Sequence, residues 1–196
     1  MIKGDYLNLT KGQLKSKDGI DLYSRKDFDG MHTAGRVAAE ILDEIVTSVF
    51  PGQTTGKIDS IIEELIRDKN VESGTIGYRG YQHASCISVN HVVCHGIPSD
   101  KILKEGDILN IDVTVIKDGW YGDTSRMYVA GQPSRKAERL IQVTHDALFK
   151  GIDAVKPGKT FGDIGHAIQT YVEANRMSVV RDFCGHGLGR VFHSPP

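Results

Sequence analysis

The sequence predicts an α+β fold, and three observations carry that prediction. Apolar residues keep helical spacing from Ser24 to Val49 and again through Ile58, Ile61, Ile62, Leu65 and Ile66. Strand-like patterns then dominate from about Gly77 to Val129, and helical spacing returns after Gly131-Gln132-Pro133 with Leu140, Val143, Ala147, Leu148 and Ile152. The two helical regions are also copies of one another. PGQTTGKIDSII at 51–62 aligns with PGKTFGDIGHAI at 157–168 at a constant offset of 106, with Pro, Gly, Thr, Gly, Ile and Ile identical. Upstream at the same offset Leu42 meets Leu148, Val46 meets Ile152 and Val49 meets Val155, so the chain reads as a duplication.

Taken in order, residues 1–23 form a polar N-terminal extension and the main folded unit is expected over 24–196. Its first repeat covers about 24–132 and its second 133–196. Ser24, with Asp27 three residues on, starts the first helix as a capping box, and Pro51-Gly52 stops it. The second helix follows that stop directly. The helices of the second repeat flank an equivalent stop, Pro157-Gly158.

The strand region contains GDILNIDVTVIKDGWYGDTSRM, residues 106–127. Leu109, Ile111, Val113 and Val115 point one way, Asn110, Asp112 and Thr114 the other. Asp118-Gly119 is a two-residue hairpin signal. A two-residue turn sets Lys117 opposite Trp120, Thr114 opposite Asp123 and Asp112 opposite Ser125. Asp112 and Asp123 then share one face as diagonal neighbours, Cα atoms about 7–8 Å apart. A three-residue turn would reverse the parity and separate them. Two carboxylates that close repel unless they are solvated, protonated or bridged by a cation. The competing account is a solvent-facing polar edge of an ordinary hairpin.

Composition narrows the partners. With 196 residues and 39% apolar content the chain can bury a core as one domain or two small halves. The 24 basic and 25 acidic residues are interspersed and net charge is −1, so nothing in the charge pattern calls for DNA or an anionic membrane. No apolar run approaches the roughly 20 residues of a spanning helix, and the N-terminus has no signal-peptide core; a cytoplasmic protein is expected. Cys86, Cys94 and Cys184 are odd in number and lack CxxC spacing, which argues against a disulfide framework or zinc ribbon and for small buried hydrophobes.

Histidines cluster in NHVVCHGIPSD, with His91 and His95, and in DFCGHGLGRVFHSPP, with His186 and His193. Lone histidines such as His91, His145 and His166 are more often hydrogen-bonded structural residues than ligands. Gly185 to Gly189 lacks the GxGxxG order of a nucleotide loop. Two carboxylates on one face plus an imidazole instead make a hard, oxygen-rich metal site suited to Mn, Fe, Co or Zn.

Four stretches in this order, AGRVAAEIL, CISVNHVVCHGIP, the Asp112/Asp123 hairpin and FCGHGLGRVFHSPP, resemble the type I methionine aminopeptidases of the creatinase or pita-bread fold over about Ser24 to Pro196. That resemblance implies a pseudo-twofold duplicated fold, mainly a curved antiparallel sheet with helices on its outer face. It implies a hydrolase that removes the initiator methionine from nascent polypeptides whose second residue is small. The implied ligands of two divalent ions are Asp112, Asp123 and His186, with two further Glu ligands beyond Pro196. His95 is the implied amide-contacting histidine and His193 the carbonyl-contacting one. Tyr78, Tyr81, Cys86 and Phe192 are the implied methionine pocket. The resemblance further suggests ribosome association and a monomeric full-length enzyme.

Where the family usually has Glu this chain has His91. At the repeat's offset a second hairpin would fall near 218 and 229, so the repeat and the resemblance both lead to the expectation of a C-terminally truncated polypeptide, weakly active or inactive by itself. A proline-specific peptidase of the same fold is a rival disfavoured by the short lead-in. The reading from another class is a catalytically incomplete fragment or pseudoenzyme acting as a binding module. The five intact residues Asp112, Asp123, His186, His95 and His193 weigh against it.

Overall fold

The computed structural model describes residues 14–195. Most of the N-terminal extension expected at 1–23 therefore lies outside the described residues. Two compact units are present: one ends at Gly131 and takes in the segment from His186, and the other is Gln132–Gly185.

The first unit opens with a short antiparallel pair, β1 (Leu14–Lys15) and β2 (Asp21–Leu22). Helix α1 (Arg25–Glu44) begins at the expected capping box, in which Ser24 Oγ accepts from the Asp27 N–H and the Asp27 carboxylate accepts from the Ser24 N–H at 2.8 Å. The α-helix stops earlier than the apolar spacing suggests, tightening to a 3₁₀ turn over Ile45–Ser48 ahead of Pro51. Helix α2 (Thr55–Asp68) is capped by Thr54, whose hydroxyl accepts from the Lys57 N–H.

The sheet has four strands: β3 (Glu72–Ser73), β4 (Ser85–Val89), β5 (Ile108–Lys117) and β6 (Trp120–Val129). Its antiparallel neighbours are β3–β5, β4–β5 and β5–β6. It is less continuous than the sequence pattern implies. Residues 90–107 form a loop fastened to the start of α2 through Thr55 N–H to Lys101 O and Gly56 N–H to Ser99 O. Gly96, Pro98 and Gly106 interrupt pairing there.

The hairpin has the two-residue turn. Asp118 (φ 52°) and Gly119 (φ 74°) both take the left-handed conformation that a type I′ turn demands, and the register pairs Lys117 with Trp120, Thr114 with Asp123 and Asp112 with Ser125. Parity then sorts the side chains. Leu109, Ile111, Val113 and Val115 are fully buried with Ile41, Leu42, Ile58 and Ile62 of α1 and α2, while Asp112 and Asp123 share the opposite face. Helix α1 crosses β6 at Gly122, where an added Cβ would lie 2.3 Å from the Ala34 carbonyl carbon; only glycine permits that approach.

The second unit is a helix pair, α3 (Arg135–Ala154) and α4 (Phe161–Ala174). Gly151 packs directly against Ile164 and Ile168, Tyr171 Oη donates to Asp146 at 3.0 Å, and Arg139 donates to the Asn175 carbonyl at 2.7 Å. No helix among the described residues is long and apolar enough to cross a membrane.

Candidate active site

Strands β4, β5 and β6 set Cys86, Asp112, Thr114 and Asp123 along the floor of a cleft of about 570 Å³. All nine residues singled out in the sequence line it: Tyr78, Tyr81, Cys86, His95, Asp112, Asp123, His186, Phe192 and His193. Thr75, Thr114 and Ile97 also line it, and their sequence context gave no chemical signal.

The Asp112 carboxyl is pushed up to about 7, first by burial, then by the charge of Asp123 and a hydrogen bond with it. Thr114 Oγ1 donates to Asp123 Oδ1 at 3.0 Å, fixing that carboxylate in the cross-strand register. His186 Nε2 stands 3.5 Å from Asp123 Oδ2. Its Nδ1 lies 3.0 Å from the Gly187 carbonyl. A carbonyl only accepts, so Nδ1 carries a proton there, and Nε2 is the ring nitrogen turned toward Asp123.

The segment carrying His186 and His193 has little regular structure of its own and is fastened from outside. Tyr121 N–H donates to the Gly189 carbonyl at 2.9 Å, Arg190 donates to the Asp118 carbonyl at 2.8 Å, and its guanidinium lies 3.8 Å from the Trp120 ring centroid. Gly187 and Ser194 exchange both backbone hydrogen bonds, at 2.7 and 3.0 Å, and so close a loop between the two histidines. The rings of His186 and His193 lie 4.2 Å apart between centroids, and Phe192 stacks on Tyr121. Burial and the neighbouring His186 pull the His193 imidazole below its ordinary value, and Tyr78 Oη lies 2.9 Å from its Nδ1.

His95 enters from the loop after β4. Its φ of 54° is in the left-handed region, which costs a non-glycine residue about 1–3 kcal/mol and is held only where the surroundings over-determine it. Here they do, because Gly96 N–H donates to Ser88 Oγ and Ile87 N–H donates to Gly96 O. Tyr81 Oη donates to the Ser85 carbonyl at 2.8 Å and meets the Cys86 thiol; burial raises both the phenol and the thiol above their ordinary values.

Among the described residues, no three of His, Cys, Asp or Glu already converge on one point as a closed ion cage. The donor chemistry nevertheless fits a cation. Two carboxylates this close need solvent, a proton or a cation between them, and the His186 imidazole faces Asp123 through Nε2.

Paired carboxylates and an imidazole that open from a sheet hairpin into one cleft are a donor set suited to a metal-dependent hydrolase. The family model for metallopeptidase family M24 matches residues 29–196. The chain belongs to metallopeptidase family M24. The methionine aminopeptidase of Rickettsia prowazekii is 54% identical over 177 residues, covering 90% of this chain and 68% of that protein, and that of Escherichia coli K12 is 49% identical over 179 residues, with the same shares. The crystal structure of the Rickettsia prowazekii enzyme superposes with a TM-score of 0.88, covering 89% of this chain and 71% of that one. A prolidase from Pyrococcus furiosus, 20% identical with a TM-score of 0.79 over 89% of this chain and 51% of its own, shares the fold. The fold is thus the α+β pita-bread type, as the resemblance implied, and the chain spans about two thirds of the length of the curated relatives it matches.

Proposed function

We propose that this protein is a methionine aminopeptidase that releases the initiator methionine from nascent chains with a small second residue. The observation that carries the reading is the convergence of all nine residues on one cleft. Divalent metal is the cofactor class of the family. Asp112, Asp123 and His186 are the residues that would hold it, as part of the ligand set of an ion pair drawn from Co, Mn, Fe or Zn. When bound, such ions polarise the scissile carbonyl and lower the pKa of the attacking water.

The chain's own groups do the rest. Tyr78, Tyr81, Cys86 and Phe192 enclose the methionine side chain. His95 addresses the scissile amide nitrogen. His193 supports the carbonyl oxygen as charge develops on it. This role needs the tautomer in which Tyr78 Oη, 2.9 Å away, donates to Nδ1 and the ring proton of His193 is on Nε2, available to that oxygen. Burial and the neighbouring His186 lower the basicity of His193, the direction that favours the neutral ring this role needs. The catalytic domain is assigned to 24–196 with 1–23 as an extension. The setting is a monomer in the cytoplasm, near the ribosome, with neither DNA nor membrane as partner. The binding-module alternative is not favoured, since methionine aminopeptidases at up to 54% identity match nine-tenths of the chain.

Two measurements test this. Met-Ala-Ser should be cleaved at least about tenfold faster than Met-Leu-Ser, because a shape-limited site excludes a bulky second residue; equal turnover overturns the specificity. Asp112→Asn should lose bound metal and activity together, whereas His95→Ala should keep metal and lose turnover. Equal metal loss in both variants would reassign these residues.

A further inference from the structure

Asp59 is a buried acid, 6% exposed, on the helix face that also buries Ile58, Ile62 and Ile66. An ion among aliphatic side chains costs stability unless its lone pairs are used. Both oxygens are used, and by one short segment. Oδ1 accepts from the Ser85 N–H at 2.9 Å and from Ser85 Oγ at 2.7 Å, while His83 Nδ1 lies 3.1 Å from Oδ2. That segment is the back wall of the cleft. The Ser85 carbonyl accepts from Tyr81 Oη at 2.8 Å, the His83 carbonyl accepts from Thr75 Oγ1 at 2.8 Å, and the His83 ring meets the Tyr81 ring edge-on at 5.5 Å. Cys86 follows Ser85 directly. None of Asp59, His83 and Ser85 lines the cleft, whereas Thr75, Tyr81 and Cys86 all do.

We infer that Asp59 and His83 are positioning residues for recognition of the substrate's first side chain: α2 reaches through the Asp59 carboxylate to fix residues 81–86, and with them the depth and shape of the pocket wall. This rests on the reading of Tyr81 and Cys86 as the methionine pocket. The geometry separates this role from plain core stability. Asp59 bonds Ser85 along the backbone, but its bond to His83 goes to a side chain 32% exposed. That bond is part-buried, between an imidazole 32% and a carboxylate 9% exposed, so losing it carries some folding cost; its consequence for the cleft is the orientation of the Tyr81 ring it abuts.

The test uses the active enzyme and compares Met-Ala-Ser with norleucyl-Ala-Ser. His83→Ala and His83→Phe should raise KM for Met-Ala-Ser about 3- to 10-fold, the weight of one hydrogen bond. They should leave kcat within about twofold and narrow the preference for methionine over norleucine, with metal content unchanged. His83→Asn, whose amide nitrogen stands where Nδ1 stood, should restore KM and preference. Asp59→Asn should shift KM in the same direction. The inference is overturned if the His83 variants leave KM and preference unchanged, lower kcat alone, or are not restored by His83→Asn. Tyr81→Ala separates the two levels. If it abolishes the methionine preference while the His83 variants do nothing, only this inference fails. If it too leaves the preference intact, the pocket reading fails and takes this inference with it.

Discussion

Helices α2 and α4 begin alike and end in different surroundings. Each has 14 residues, each follows a Pro-Gly stop, and each is capped by a threonine at the repeated position, Thr54 accepting from the Lys57 N–H and Thr160 from the Asp163 N–H. The apolar positions also correspond. Yet Leu42 is 1% exposed and Leu148 55%, Val49 9% and Val155 64%. In the first copy these residues face β5 and β6; in the second, α3 and α4 find chiefly each other. An amphipathic pattern therefore states which side of a helix needs a partner, while the partner itself decides whether that side contributes to stability.

The largest effect should separate the copies most sharply. Leu42→Ala should cost about 2–5 kcal/mol in denaturant unfolding, the range for a filled core position. Leu148→Ala, its repeat partner, should stay within about 0.5 kcal/mol. Comparable losses would mean that the second face is covered in solution. Glycine gives the next contrast, with opposite signs. Gly122→Ala must push α1 off β6 and should cost about 1–3 kcal/mol or more. Gly165→Ala, in α4 with no atom near its added Cβ, should stabilise that helix by up to about 1 kcal/mol, read by hydrogen exchange of α4.

The caps should show no contrast. Thr54→Ala and Thr160→Ala should each cost about 1 kcal/mol, because a cap satisfies its own helix end wherever the helix lies; a cost confined to one copy would break the equivalence. The smallest effect is chemical. Iodoacetamide at pH 8 should label the exposed Cys184 well before Cys86, whose thiol burial keeps protonated, with peptide mass spectrometry giving the order.

Much of the site was legible because its determinants are local. Asp118-Gly119 prescribes a two-residue turn, the turn fixes strand parity, and parity alone brings Asp112 and Asp123 to one face. The capping box at Ser24 and the threonine caps are set within three residues of the helix starts. The resemblance named His95, His186, His193 and the pocket residues, but their coming together had no local cause. The segment with both later histidines holds its place through Tyr121, Asp118 and Trp120, more than 60 residues earlier, and residues 90–107 carried strand-like composition into a loop that Gly96, Pro98 and Gly106 interrupt and the start of α2 fastens.

Sequence by itself thus determined the helices, their caps, the hairpin register and the pairing of two acids, all consequences of turn chemistry and periodicity acting over a few residues. Only the tertiary structure decided that Asp59 on α2 would anchor Ser85 and His83, and that the first copy of the repeat would be buried more deeply than the second. Those outcomes depend on groups far apart in the chain, 24 and 26 residues for Asp59 with His83 and Ser85, meeting in space, and a side chain's own neighbourhood in the chain carries no record of which distant donor or apolar face will reach it.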